Sequence, residues 1–147
     1  MIIFKSTLIG LILFIANSFQ ISLSDSNVKS SFSCVIDGKS FDAAIAFAAI
    51  ENQISDGIIQ IIGQKNNDVV ELVITQSDAK EGASIKADGG LSMNGVTYAI
   101  DESAKVVITK HTATQIAGTF TLEAVDDYFS PTKKVKITQG KFDVAFQ

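Results

Sequence analysis

Arginine and tryptophan are absent from this 147-residue chain, and cysteine, histidine and proline occur once each, as Cys34, His111 and Pro131. Each scarcity excludes something. With 16 acids against 12 lysines the formal net charge is −4. Nucleic acid is gripped by clustered Lys and Arg, so it is not an expected partner. A single cysteine allows no internal disulfide. A zinc site would have to be built mostly from carboxylates, an unusual donor set for that ion. A Ser–His–acid triad would have to use His111, and no Gly-x-Ser-x-Gly elbow accompanies it. No glycine loop follows a strand and opens a helix, as a phosphate cradle requires. The residues predict a chain that is not an enzyme, with no cofactor and no metal.

What is present begins with an apolar start. Lys5 precedes Leu8–Ala16, a run broken only by Gly10, and small residues follow at Ala16-Asn17-Ser18 and Ser22-Leu23-Ser24. A positive start, an apolar middle and a small-residue exit describe a secretory signal peptide. The run from Ser6 to Phe19 is shorter than the roughly 20 residues a spanning helix needs. We therefore expect residues 1–24 to be a signal peptide, cut after Ser18 or Ser24, and no stable membrane span after processing. Cys34 lies well past the apolar run and follows Ser31-Phe32-Ser33, which is a poor context for a lipid-attachment cysteine. Asp25–Ser31 reads as a flexible leader, and residues 32–147 as one β domain.

Alternation carries the fold reading. Ile116, Phe120, Leu122 and Ala124 oppose Thr119, Thr121 and Glu123. Val135 and Ile137 oppose Lys134, Lys136 and Thr138, and Phe142, Val144 and Phe146 oppose Lys141, Asp143 and Gln147. Period two marks a strand with one dry and one wet face. Asp37-Gly38 and Asn94-Gly95 are hairpin dipeptides, because their residues tolerate positive φ. The first pairs Cys34 with Phe41, and the second Leu91 with Tyr98. Asn66-Asn67 pairs Ile61 with Leu72 and Ile59 with Ile74, leaving Ile58, Ile62 and Val73 on the opposite face. Phe41–Ile50 reads as one strand buried on both faces, with a helix as the alternative. About nine or ten strands with frequent turns predict an antiparallel all-β sandwich or barrel. Between Ile137 and Phe142 the apolar parity changes. Either a hairpin at Gln139-Gly140 or a bulge using Gly140 accounts for it, and the bulge is favoured.

Two acidic pairs, Asp101-Glu102 and Asp126-Asp127, could each be half of a calcium site, but neither has the loop spacing. The candidate binding cluster is Asp126, Asp127, Tyr128 and Phe129, the one loop that joins acids to aromatics. The plainer reading is a loop capped by its own side chains.

Three segments, Phe32-Ser-Cys-Val-Ile-Asp-Gly-Lys-Ser-Phe41, Ile116-Ala-Gly-Thr-Phe-Thr-Leu-Glu-Ala124 and Val135-Lys-Ile-Thr-Gln-Gly-Lys-Phe-Asp-Val144, resemble a Bacteroidota family of small exported proteins and lipoproteins that is a domain of unknown function. The resemblance implies a secreted, surface or periplasmic β domain and carries over no catalytic or ligand residue. The chain departs from the family in lacking a lipobox and in having Gln139-Gly140 where Asn-Gly is expected. The expected role is binding or support of an envelope or extracellular partner. The alternative is a carrier of a small apolar ligand in a barrel cavity, with Ala43, Ala44, Ala46, Ala48 and Ala49 leaving the room.

Overall fold

The computed structural model describes residues 29–51, 56–127 and 129–147. The expected signal peptide, residues 25–28 of the leader and Tyr128 lie outside them. The described chain is all-β and antiparallel, with eleven strands in one sheet. They are β1 (Ser31–Ile36), β2 (Lys39–Asp42), β3 (Ile45–Glu51), β4 (Ile58–Lys65), β5 (Asp68–Thr75) and β6 (Ser84–Ile85), then β7 (Asp88–Met93), β8 (Val96–Ile100), β9 (Lys105–His111), β10 (Gln115–Val125) and β11 (Lys134–Ala145). The order across the sheet is β2-β1-β11-β10-β8-β7-β5-β4-β3, with β9 beside β10 and β6 beside β9.

The sheet curls because its two ends are one piece of chain. Ala43 N donates to Phe32 O at 2.9 Å and Ala44 N donates to Gln64 O at 2.8 Å. The backbone thus leaves β1's side and joins β4's side within two residues. Farther on, Gln147 N donates to Ala48 O at 2.9 Å, and a parallel bridge joins Ala48 to Phe146. Sheet twist makes such curling natural, and curling shelters edges that would otherwise be open.

The bend corrects one expectation. Phe41–Ile50 is not a single strand but β2 and β3, with a turn of face between them. Phe41 and Ala43 pack on the core, and so do Ala46 and Ala48. The inward parity changes from odd to even across Ala44, which is itself exposed. Ile45, Phe47 and Ala49 therefore point away from the core cluster. The hairpin registers agree with expectation: Cys34 pairs Phe41, Leu91 pairs Tyr98, Ile61 pairs Leu72 and Ile59 pairs Ile74. Both residues of Asp37-Gly38 and Asn94-Gly95 have positive φ, as those tight turns require.

The core is organised by phenylalanine rings lying over glycines. Phe120 faces Gly140 across the β10–β11 ladder, and Phe142 faces Gly118. A Cβ at Gly140 would stand 2.6 Å from three ring atoms of Phe120, and one at Gly118 would stand 2.6 Å from Cζ of Phe142. Phe32 lies over Gly63 of β4 in the same way, from across the interior. The rings meet one another, with centroids 5.2 Å apart for Phe32–Phe120 and 6.3 Å for Phe120–Phe142. These separations suit attractive aromatic pairs. Glycine gives the space, and the ring restores the burial that glycine cannot supply.

The terminal segment is a bulged strand, not a hairpin. On β10, Phe120 pairs Gly140 and Leu122 pairs Ile137. On β1, Ser33 pairs Lys141 and Val35 pairs Thr138. One extra residue on β11 is absorbed at the same level on both sides. Gln139 takes the left-handed conformation there, with φ 53°, while Gly140 does not. The parity change thus rests on Gln139. Gly140 is needed for the ring above it.

Candidate functional site

The loop from β10 to β11 carries the candidate cluster. Asp126 Oδ1 accepts from the backbone N–H of Thr132 at 2.9 Å and of Lys133 at 2.8 Å, and its Oδ2 accepts from the Thr132 hydroxyl. The Thr132 hydroxyl first, and then the Lys133 amide, hold the carboxyl down at about 2. Asp127 Oδ1 accepts from Phe129 N at 2.9 Å and Ser130 N at 3.3 Å, a side-chain turn of the kind aspartate favours. Phe129 is 75 % exposed. The two carboxylates are thus turned into their own loop, separately, while Phe129 faces outward.

A depressed carboxyl contributes above its unfolded value of 3.8 and is lost as pH falls toward about 2. Amide protection at Thr132 and Lys133 should therefore persist at pH 3. Asp126→Ala should abolish it at any pH, as read by hydrogen exchange.

Other chemistry-bearing groups are also built into the frame. His111 Nδ1 lies 2.5 Å from the carbonyl oxygen of Ala79. A carbonyl only accepts, so Nδ1 is the donor, and it occupies the place a triad acid would take. The imidazole stacks near Phe146, with ring centroids 5.8 Å apart. Cys34 is buried on β1, and burial, then the Asp42 charge, push its thiol up to about 12. Such a thiol stays protonated and unreactive. Lys134 Nζ lies 2.5 Å from Glu123 and 3.7 Å from Asp101, and the Glu123 carboxylate raises its pKa. Asp101 Oδ1 also accepts from Ser103 N at 2.8 Å. Among the described residues, no group of three or more His, Cys, Asp or Glu side chains is placed to hold a metal ion. Among them, too, no helix is long and apolar enough to cross a membrane.

The pattern reading passed over two polar side chains inside the apolar β4–β5 hairpin, Gln60 and Glu71. Both are buried, at 5 % and 6 % exposure. They stand on the face turned away from the core, beside Ile62 and Val73 through the pairs Ile62–Glu71 and Gln60–Val73. The signal was a carboxylate at the centre of Val-Val-Glu-Leu-Val-Ile, where a strand buried on both faces leaves it no water. Burial pushes the Glu71 carboxyl up to about 7.

A raised carboxyl pKa keeps a proton that the unfolded chain has lost. Stability should fall as pH rises from about 4.5 to about 7. The loss should be on the order of 3 kcal/mol. Glu71→Gln should flatten that part of the pH–stability curve in urea titrations.

The chain matches no protein-family model, no curated protein and no solved structure.

Proposed function

We propose that this chain is an exported β domain, of the kind found among small Bacteroidota envelope proteins, that acts by binding or supporting a partner outside the cytoplasm. The observation that carries the reading is how its chemically capable groups are used. Asp126 and Asp127 tie down their own loop, the His111 ring is fixed on a backbone carbonyl, and the Cys34 thiol is buried and protonated. The absence of arginine and the acidic balance direct the partner away from nucleic acid. The apolar-carrier reading draws less support. Ala43, Ala46 and Ala48 do face the interior, but the rings of Phe32, Phe120 and Phe142 fill the space above Gly63, Gly140 and Gly118.

Two experiments test the proposal. The intact mass of exported protein should place its first residue at Phe19 or Asp25; retention of Met1–Ser18 contradicts export by cleavage. The purified domain, panned against glycans and envelope fractions, should retain a specific fraction without consuming it. Turnover of a small substrate would overturn the non-enzymatic reading.

A further inference from the structure

Cations gather on the outer face of β9–β11. These three strands hold five lysines, Lys105, Lys110, Lys134, Lys136 and Lys141, against two acids, Glu123 and Asp143. The chain as a whole has 12 lysines and 16 acids. By contrast β3, β4, β5, β7 and β8 together hold one lysine, Lys65, beside a turn. Lysine often guards an open sheet edge. That role does not apply here, because β11 is paired by β1 and β10, and β9 by β10 and β6.

Both acids are already engaged. Glu123 stands opposite Lys136 in the ladder, yet its carboxylate goes to Lys134 at 2.5 Å. Asp143 accepts from the Gln115 amide, whose oxygen accepts from Lys110 Nζ at 2.7 Å. Lys105, Lys136 and Lys141 are exposed and have no ion pair among the described residues. Their spacing is set by β10. Lys141 lies opposite Thr119, Lys105 opposite Thr121 on the other side, and Lys136 opposite Glu123. Each successive pair is two strand spacings across and two residues along, or about 12 Å. The exposed Thr119 and Thr121 lie between them. The exposed large apolar side chains among the described residues, Ile45, Ile50 and Phe129, are on β3 and the β10–β11 loop. A face with nothing to insert is poorly suited to stable membrane binding. A face without aromatic rings gives nucleic-acid bases nothing to stack on. It fits a polymer with spaced negative charges and hydroxyls between them.

We propose that the outer face of β9–β11 binds an anionic polysaccharide, with Lys105, Lys136 and Lys141 meeting its carboxylate or sulfate groups and Thr119 and Thr121 its hydroxyls. This gives the binding role proposed above a partner class, and it rests on that reading for where the polymer is met.

The test titrates the full chain with polygalacturonate, dextran sulfate and neutral dextran at roughly physiological salt. One or both charged polymers should bind, more weakly as salt rises, and neutral dextran should not. Replacing Lys105, Lys136 and Lys141 together by Gln should weaken binding about tenfold, the worth of three exposed ion pairs. Replacing the exposed Lys65, Lys80 and Lys86 by Gln removes the same charge and should change it far less. Binding of neither charged polymer, or equal losses in the two triple variants, overturns the proposal. So does equal binding of phosphatidylglycerol vesicles or single-stranded DNA through the same three lysines. Should the first triple variant not fold, amide shifts on the parent chain decide. The bound polymer should move Thr119 and Thr121 more than the exposed Thr97, and the reverse overturns the site. An envelope fraction retained by a chain that binds neither charged polymer would overturn this partner class and leave the binding role in place.

Discussion

Phe120→Ala is expected to lower the unfolding free energy by about 3–5 kcal/mol, as read by chemical denaturation. The ring is 2 % exposed and lies between those of Phe32 and Phe142. Its removal takes away the cover of Gly140 and one side of two aromatic pairs together. The surrounding strands are tied into a curled sheet and have little freedom to close the gap. The neighbouring Thr121→Ala, on the exposed face of β10, should stay within about 0.5 kcal/mol of the parent. Equal losses for the two variants would reverse the assignment of faces on β10.

Gly140→Val should destabilise by about 1–3 kcal/mol or more, through overpacking. Its Cβ would fall 2.6 Å from three atoms of the Phe120 ring, a separation at which something must move. The ring is a poor candidate to move, being packed on both sides. Because Gly140 does not occupy the left-handed region, even Gly140→Ala should be costly, and Gln139→Ala, at the residue with φ 53°, should be mild. A denaturation series in which Gln139→Ala is the worse of the two would place the constraint in the backbone.

These two residues also show what the sequence could and could not reveal. The β10 alternation is legible because each outward Thr and inward apolar residue reports on one face by itself. Asp37-Gly38 and Asn94-Gly95 are legible because a tight turn imposes its backbone on adjacent residues. The change of parity before Phe142 was visible, but its owner was not. Gly140 looked like the residue with unusual φ, and only the ring of Phe120, twenty residues away in sequence, explains why glycine stands there. The bend at Ala43-Ala44 was hidden for a related reason. No glycine, proline or asparagine marks it, and an alanine-rich run reads the same on either parity. An unbroken strand would keep Phe47 on the same face as Phe41, and the bend turns it to the other.

The candidate site was legible only as a place. Asp126-Asp127 beside Phe129 marked the loop, but the acceptors' partners at Thr132 and Lys133 lie six and seven residues on, and no local pattern fixes which carboxylate reaches them. Glu71 was the opposite case. Its neighbours announced a buried strand, but Glu71 stands on the face turned away from the core, and strand periodicity does not encode burial there.

The function proposed above depends on an interior filled by rings seated on glycines, leaving the surface to make contacts. A double-mutant cycle on Phe120→Ala and Gly140→Ala measures that seating directly, by denaturation of the two single variants and the double. The account predicts that Gly140→Ala, costly beside the ring, becomes nearly neutral once the ring is gone, a coupling of at least about 1 kcal/mol. Strictly additive losses would mean that the ring has room to step aside, and an interior with such room would favour the carrier of a small apolar ligand instead.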